Sequence, residues 1–204
     1  IVYRDDGGAG DLYMSYLRNG RWQKLEKLNR NINTRYWESN GFISSDGESL
    51  YFSSNRKGGY GKLDLYVSER TSGGDWGPAR NLGPVINSPL MEDAPMLTSD
   101  GKTLFFSSQG HSSMGGFDHF YSELTERGGW SLPVNLGYPL STADDDPYLS
   151  PVGPGDTAYV AHNKETGGQG IFRVILSVAP PATEKTAATA EVILPEITLK
   201  GKVR

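Results

Sequence analysis

Short apolar runs alternate with polar positions along this chain, and glycine-rich turns separate them. Phe42-Ile43-Ser44, Leu50-Tyr51-Phe52 and Leu63 to Ser68 read as three strands, because a period of two turns successive side chains to opposite faces. Asp46-Gly47 between the first two is a hairpin signal, since glycine accepts positive φ at little cost. Asn55 to Gly61 forms a glycine-rich loop before the third strand. Ser72-Gly73-Gly74-Asp75 then brings in Trp76 and a short fourth strand ending near Leu82. No window sustains a 3.6-residue period, so helices are not expected.

The same order returns 54 residues later. Met96-Leu97-Thr98, Asp100-Gly101, Leu104-Phe105-Phe106, Gly115-Gly116-Phe117 and Gly128-Gly129-Trp130 repeat each element. Trp22, Trp76 and Trp130 keep this interval, as do Leu28, Leu82 and Leu136. Asp64-Leu65-Tyr66 recurs as Asp118-His119-Phe120 and, one residue out of step, as Asp11-Leu12-Tyr13. A fixed period of this size marks an array of one supersecondary unit that buries its apolar faces only against neighbours. Four antiparallel strands in about 50 residues describe one propeller blade. The expected fold is therefore all-β, a partial β-propeller of four-stranded antiparallel blades. Residues 41–93 and 94–145 are whole blades, while 1–40 lacks a first strand and 146–176 stops before its tryptophan strand. Propellers close with about four to eight blades, so further blades are expected ahead of Ile1, where there is neither a start methionine nor a signal peptide. Residues 177–191, rich in Ala, Pro and Thr, read as a linker. Residues 192–204 alternate like the opening strand of another β domain.

Composition narrows the function classes. The net charge is −4 and the pI near 5.4, which argues against a nucleic-acid partner. With no cysteine, disulfides, thiol catalysis and cysteine metal sites are excluded. No apolar run reaches the roughly 18 residues of a membrane span.

The ordered pattern resembles the TolB-like, WD-like propeller repeats of Bacteroidetes cell-envelope proteins of the OmpA family. The matching pieces run from Ser45 to Arg56, Gly58-Gly59-Tyr60-Gly61, Asp64 to Ser68, Gly129 to Gly137 and Ser141 to Asp146. Gly170 departs from the pattern where a third-strand Asp belongs, and Val152-Gly153-Pro154-Gly155 replaces an Asp-Gly turn. The resemblance implies a periplasmic, outer-membrane- and peptidoglycan-associated scaffold that binds envelope or secretion-system proteins, among them the type IX secretion system. Peptidoglycan would be held only by a C-terminal domain that this chain does not contain. Leu199-Lys200-Gly201-Lys202-Val203 resembles the first strand of the carboxypeptidase-regulatory-like domain that follows such propellers.

In a four-stranded meander, the loop between strands two and three opens on the same face as the crossover to the next blade. That face is the candidate interaction surface, with Glu38, Tyr60, Glu92, Asp93, Phe117, Asp144, Asp145 and Asp146 crowding the mouth of the central channel. A ring of carboxylates suits Ca²⁺ or a basic partner. Without an EF-hand spacing, loop-fixing acids are the stronger reading and no cofactor is expected. Asp11, Asp64 and Asp118 recur at the head of the third strand in the first three blades, which points to a loop-fixing hydrogen bond. The recurring tryptophans point in the same way to packing between blades. Arg18, Arg21, Lys24, Lys27, Arg30 and Arg35, offset by Glu26, form a basic stretch suited to an acidic partner or a solvated edge. The three histidines are scattered, and no Ser/His/Asp set stands out. The expectation is a docking module that is not an enzyme. The alternative is a glycan-binding or carbohydrate-active propeller, for which Tyr60 and Phe117 are the stacking candidates.

Overall fold

The computed structural model describes residues 1–5, 9–163 and 169–176. The expected linker and the start of a further β domain lie outside them. Among the described residues, sixteen strands form four successive units and one small hairpin. The first unit pairs Val2–Asp5 (β1), Gly10–Met14 (β2) and, beyond the hairpin Leu17–Arg18 (β3) and Arg21–Trp22 (β4), Glu26–Lys27 (β5). The second unit is the sheet Glu38–Ile43 (β6), Ser49–Ser54 (β7), Asp64–Glu69 (β8) and Arg80–Asn81 (β9). The third repeats it as Glu92–Leu97 (β10), Thr103–Ser108 (β11), Asp118–Glu123 (β12) and Val134–Asn135 (β13). The fourth holds Leu149–Val152 (β14), Thr157–Asn163 (β15) and Gln169–Ile175 (β16). Every pair is antiparallel.

The second and third sheets each use their two faces for two neighbours. Leu50, Phe52, Tyr66 and Trp76 of the second unit share one core with Leu12, Met14, Leu28 and Ile32 of the first. The other face of the second unit supplies Leu65 and Ile86, with Tyr51, to a core with Leu104, Phe106 and Phe120 of the third. Phe105, with Tyr121, then meets Ala158, Val160 and Val174 of the fourth. Alternation along one strand, Leu50/Phe52 against Tyr51 and Leu104/Phe106 against Phe105, is therefore what stacks the units.

The first strand of each whole unit begins earlier than apolar alternation suggests. Glu38-Ser39-Asn40 and Glu92-Asp93 belong to β6 and β10, and both strands are bulged, between Ser39 and Gly41 and between Asp93 and Met96. A bulge inserts a residue and re-aims its neighbours; Asn40 and Ala94 take φ of 38° and 50° there. The tryptophans do not open fourth strands. Trp76 and Trp130 bridge back to Arg70 and Leu124 at the end of the third strand, and the fourth strands follow as two-residue pairs.

Candidate functional site

Crossovers and glycine loops meet on one face, as the meander requires. Lys62 N donates to Leu90 O at 2.7 Å, and Asp146 N to Phe117 O at 2.6 Å. A Cβ at Gly61 would collide with the Ser88 and Leu90 carbonyls, and one at Gly115 with the main chain of Thr142 and Ala143. Glycine is thus needed here for close approach of two backbones.

The acids of this face fall into distinct sets. Glu38, Glu92 and Asp146 stand one repeat apart and are buried. Each closes the turn before its own strand. Glu38 accepts from Thr34 N and Thr34 Oγ1, both at 2.8 Å. Glu92 accepts from Ser88 N at 2.8 Å and Ser88 Oγ at 2.5 Å. Asp146 accepts from Thr142 N at 2.7 Å and Thr142 Oγ1 at 2.9 Å. Ser54 and Ser108 add a hydroxyl at 2.8 Å to Glu38 and Glu92. Burial raises the Glu92 carboxyl above its ordinary range, against the pull of these hydroxyls and of nearby His111.

Asp93 ties two units together: Ser39 Oγ and Asn40 Nδ2 donate to it at 3.1 and 3.0 Å. Asp145 Oδ1 accepts from Phe117 N at 2.9 Å, so the structure brings Phe117, Asp145 and Asp146 to one joint. Asp144 is exposed on the same crossover, and Tyr60 projects from the earlier loop with half its surface open. Among the described residues, no group of three or more His, Asp or Glu is gathered as a metal cluster would be.

The third-strand acids fix loops, as their recurrence implies. Asp64 accepts from Tyr60 N, Gly61 N and Asn81 Nδ2 at 2.6, 2.8 and 2.7 Å. Asp118 accepts from Met114 N, and from Asn135 Nδ2 at 2.9 Å. In the first unit Lys27, one repeat before Asn81, supplies the donor to Asp11 at 2.5 Å.

Where the first strands of successive units converge, a cleft of about 110 Å³ is lined by Ile1, Tyr3, Asn40, Ala94, Pro95, Met96 and Tyr148, among others. Asn40, Ala94 and Tyr148 are one repeat apart, so this lining is built by the same position of three units. Sequence patterning missed this set, although its 54-residue spacing was a usable signal. Tyr148 leaves 51% of its surface open here.

No protein-family model matches this chain, and no curated protein matches it. Solved structures do. TolB from Acinetobacter baumannii superposes with a TM-score of 0.53 at 14% identity, over 85% of this chain and 37% of that one. A thermostable family-43 glycoside hydrolase gives 0.53 at 16% identity, over 90% of this chain and 71% of that one. The fold is that of a β-propeller, similar to the one in TolB, and these blades make up part of one. This chain spans 37% of the length of that TolB. The expectation that the chain is not an enzyme is corrected by the second likeness. The same architecture carries a glycoside hydrolase, so neither the fold nor the lack of a compact motif excludes catalysis. Blades bring together residues far apart in sequence, which spacing alone does not reveal.

Proposed function

We propose that this chain is a protein-docking propeller module of a periplasmic cell-envelope protein. Its docking surface is the loop face and the cleft beside it. The observation that carries the reading is the lining at the convergence of the first strands. Tyr3, Pro95, Met96 and Tyr148 offer aromatic and apolar contact area with Asn40 as a polar neighbour, the residue types that protein interfaces favour. The buried acids serve the blades' own turns, which leaves contact to Tyr60, Phe117, Asp144 and Tyr148. The resemblance of the repeat pattern to OmpA-family envelope proteins supports an outer-membrane- and peptidoglycan-associated setting, with a type IX secretion component as the specific case.

Affinity purification of the tagged full-length protein from gently solubilised envelopes tests the reading. Envelope proteins should co-purify, and Tyr60→Ala with Tyr148→Asp should deplete them. Recovery of the protein alone contradicts it. A second reading, glycan binding, is favoured by the exposed rings of Tyr60 and Tyr148 and predicts that the same variants lose signal on a glycan array.

A further inference from the structure

We propose that the cleft between the first and second units binds a small neutral sugar, held by Tyr16, Glu26, Asp75 and Trp76. The cleft lies within the stack of units and not at either end of it. On the first unit, Met14 pairs with Glu26, and Met14 and Leu28 share the junction core with Leu12. Tyr16, two residues beyond Met14, extends the same wall. On the second unit the wall is Gly73-Gly74-Asp75-Trp76, in the turn between the third and fourth strands. The space between them is about 290 Å³, near the lower limit of the roughly 300–1,000 Å³ of small-molecule sites. In a meander this turn lies at the opposite end of the sheet from the glycine loops, so the cleft is separate from the docking face.

One wall atom has a bond that the fold leaves unmade. Trp76 is 2% exposed, yet among the described residues its buried indole Nε1 has no acceptor. A buried donor in this state is destabilising and calls for an acceptor at the site. The Trp76 main chain, by contrast, is satisfied. Asn29 and Asn31 both donate to its carbonyl at 2.7 Å, and its N–H donates to Asp75 Oδ1 at 2.8 Å.

Around this donor the cleft offers acceptors. Glu26 and Asp75 are exposed carboxylates. The Asn29 amide, helped by the Trp76 N–H, holds the Asp75 carboxyl below its ordinary range and so ionised at neutral pH. Lys27 on the same wall has its ammonium held by Asp11 at 2.5 Å. The ligand must therefore accept from the indole and donate several bonds to the carboxylates. An anion is repelled by Glu26 and Asp75, and a simple cation has no lone pair for the indole N–H. A peptide amide brings one donor for each acceptor, where this cleft asks for more donors than acceptors. Neighbouring hydroxyls on one ring do both. Met14, Leu28 and the Tyr16 ring supply the apolar surface against which the C–H face of a sugar packs.

The set is particular to this junction. At the next one, Glu69, Arg80 and Gly129 stand where Tyr16, Glu26 and Asp75 stand here. A role in stacking units would be copied along with Trp76 and Trp130, and these three residues are not copied.

Titration of the isotope-labelled 204-residue chain with glucose, galactose and N-acetylglucosamine tests this, read by NMR at the four tryptophan indole N–H signals. Trp76→Phe assigns the signal of interest. At least one sugar should shift it downfield and saturate, with a dissociation constant of about 1 mM or tighter, while the Trp22 signal stays in place. Tyr16→Glu and Glu26→Arg each install the residue type that the next junction already carries. Each should weaken binding by about tenfold or more, with the melting temperature unchanged. Methylammonium, acetate and N-methylacetamide should leave the signal unmoved. The proposal is overturned if none of the three sugars moves the Trp76 signal, or if binding is undiminished in both variants. A small cation, anion or amide that binds as tightly as the sugar overturns it as well.

Discussion

Arg56 and His111 do the same job in successive units with different chemistry. Arg56 Nη2 donates to Ile32 O at 2.6 Å, and His111 Nε2 lies 2.8 Å from Ile86 O, one repeat later. The guanidinium lies over the rings of Phe52 and Tyr66, at 5.0 and 4.9 Å. The imidazole packs against Phe106 and Phe120, at 6.2 and 5.8 Å. Each therefore plugs the joint between its own sheet and the turn of the preceding unit. Arg56 also reaches Glu38 at 3.3 Å. Burial lowers its guanidinium, opposed by the Glu38 charge.

Arg56→Ala should destabilise the fold by about 2–3 kcal/mol. It removes the cation–π contacts and one partner of a buried carboxylate, while Thr34 and Ser54 still satisfy the rest. Urea unfolding monitored by tryptophan fluorescence measures the change. A loss below about 0.5 kcal/mol would assign Arg56 to the surface class.

Glu92→Gln should change how stability depends on pH. The native carboxyl binds its proton more tightly than the ordinary value of 4.5, chiefly through burial. It therefore supports folding below that value and withdraws the support as pH rises through its native value. The stability gap between variant and wild type should shift in favour of the variant from about pH 4 to about pH 7. Urea midpoints over a pH series check this, and a gap that shifts the other way would refute it.

Asn87→Ala should cost about 1–3 kcal/mol, the cost of one buried group left without a partner. The Asn87 carboxamide accepts from Leu65 N at 2.8 Å and donates to Leu65 O at 3.0 Å; its loss strands the Leu65 N–H, while Leu65 O keeps Leu82 N at 3.0 Å. Asn33 clasps Leu12 in the same way, at 2.8 Å for both bonds. Asn33→Ala should fall in the same range by the same measurement.

Trp76→Ala and Trp22→Ala should separate sharply in dilute protein. The buried ring should cost about 3–5 kcal/mol, and the exposed one less than about 0.5 kcal/mol. Equal melting temperatures for the two variants would contradict the assignment of their environments.

The repeat, the Asp-Gly turns and the loop-fixing role of Asp64 and Asp118 were legible because each is written in residue type and interval. Gly47 and Gly101, with φ of 80° and 70°, occupy the turns that Asp46 and Asp100 mark. The start of each first strand was not legible, because Glu38-Ser39-Asn40 and Glu92-Asp93 are polar and bulged, and no alternation passes through them. The role of Trp76 was half legible: recurrence predicts packing, but its place opposite Arg70 is set by tertiary register. The match between Arg56 and His111 was hidden because the two residues differ in type and stand 55 positions apart instead of 54. The joints of Asp93 with Asn40 and of Asp145 with Phe117 follow from how neighbouring blades dock, which local patterning does not carry.

The docking account is tested most directly by placing photo-crosslinking residues in the full-length protein in intact cells. Positions 60, 117 and 148 report the loop face and the cleft, and positions 71 and 126 report the turns before Trp76 and Trp130. The account predicts discrete protein adducts from the first set and none from the second. Adducts confined to 71 and 126, or none at any position, would contradict it.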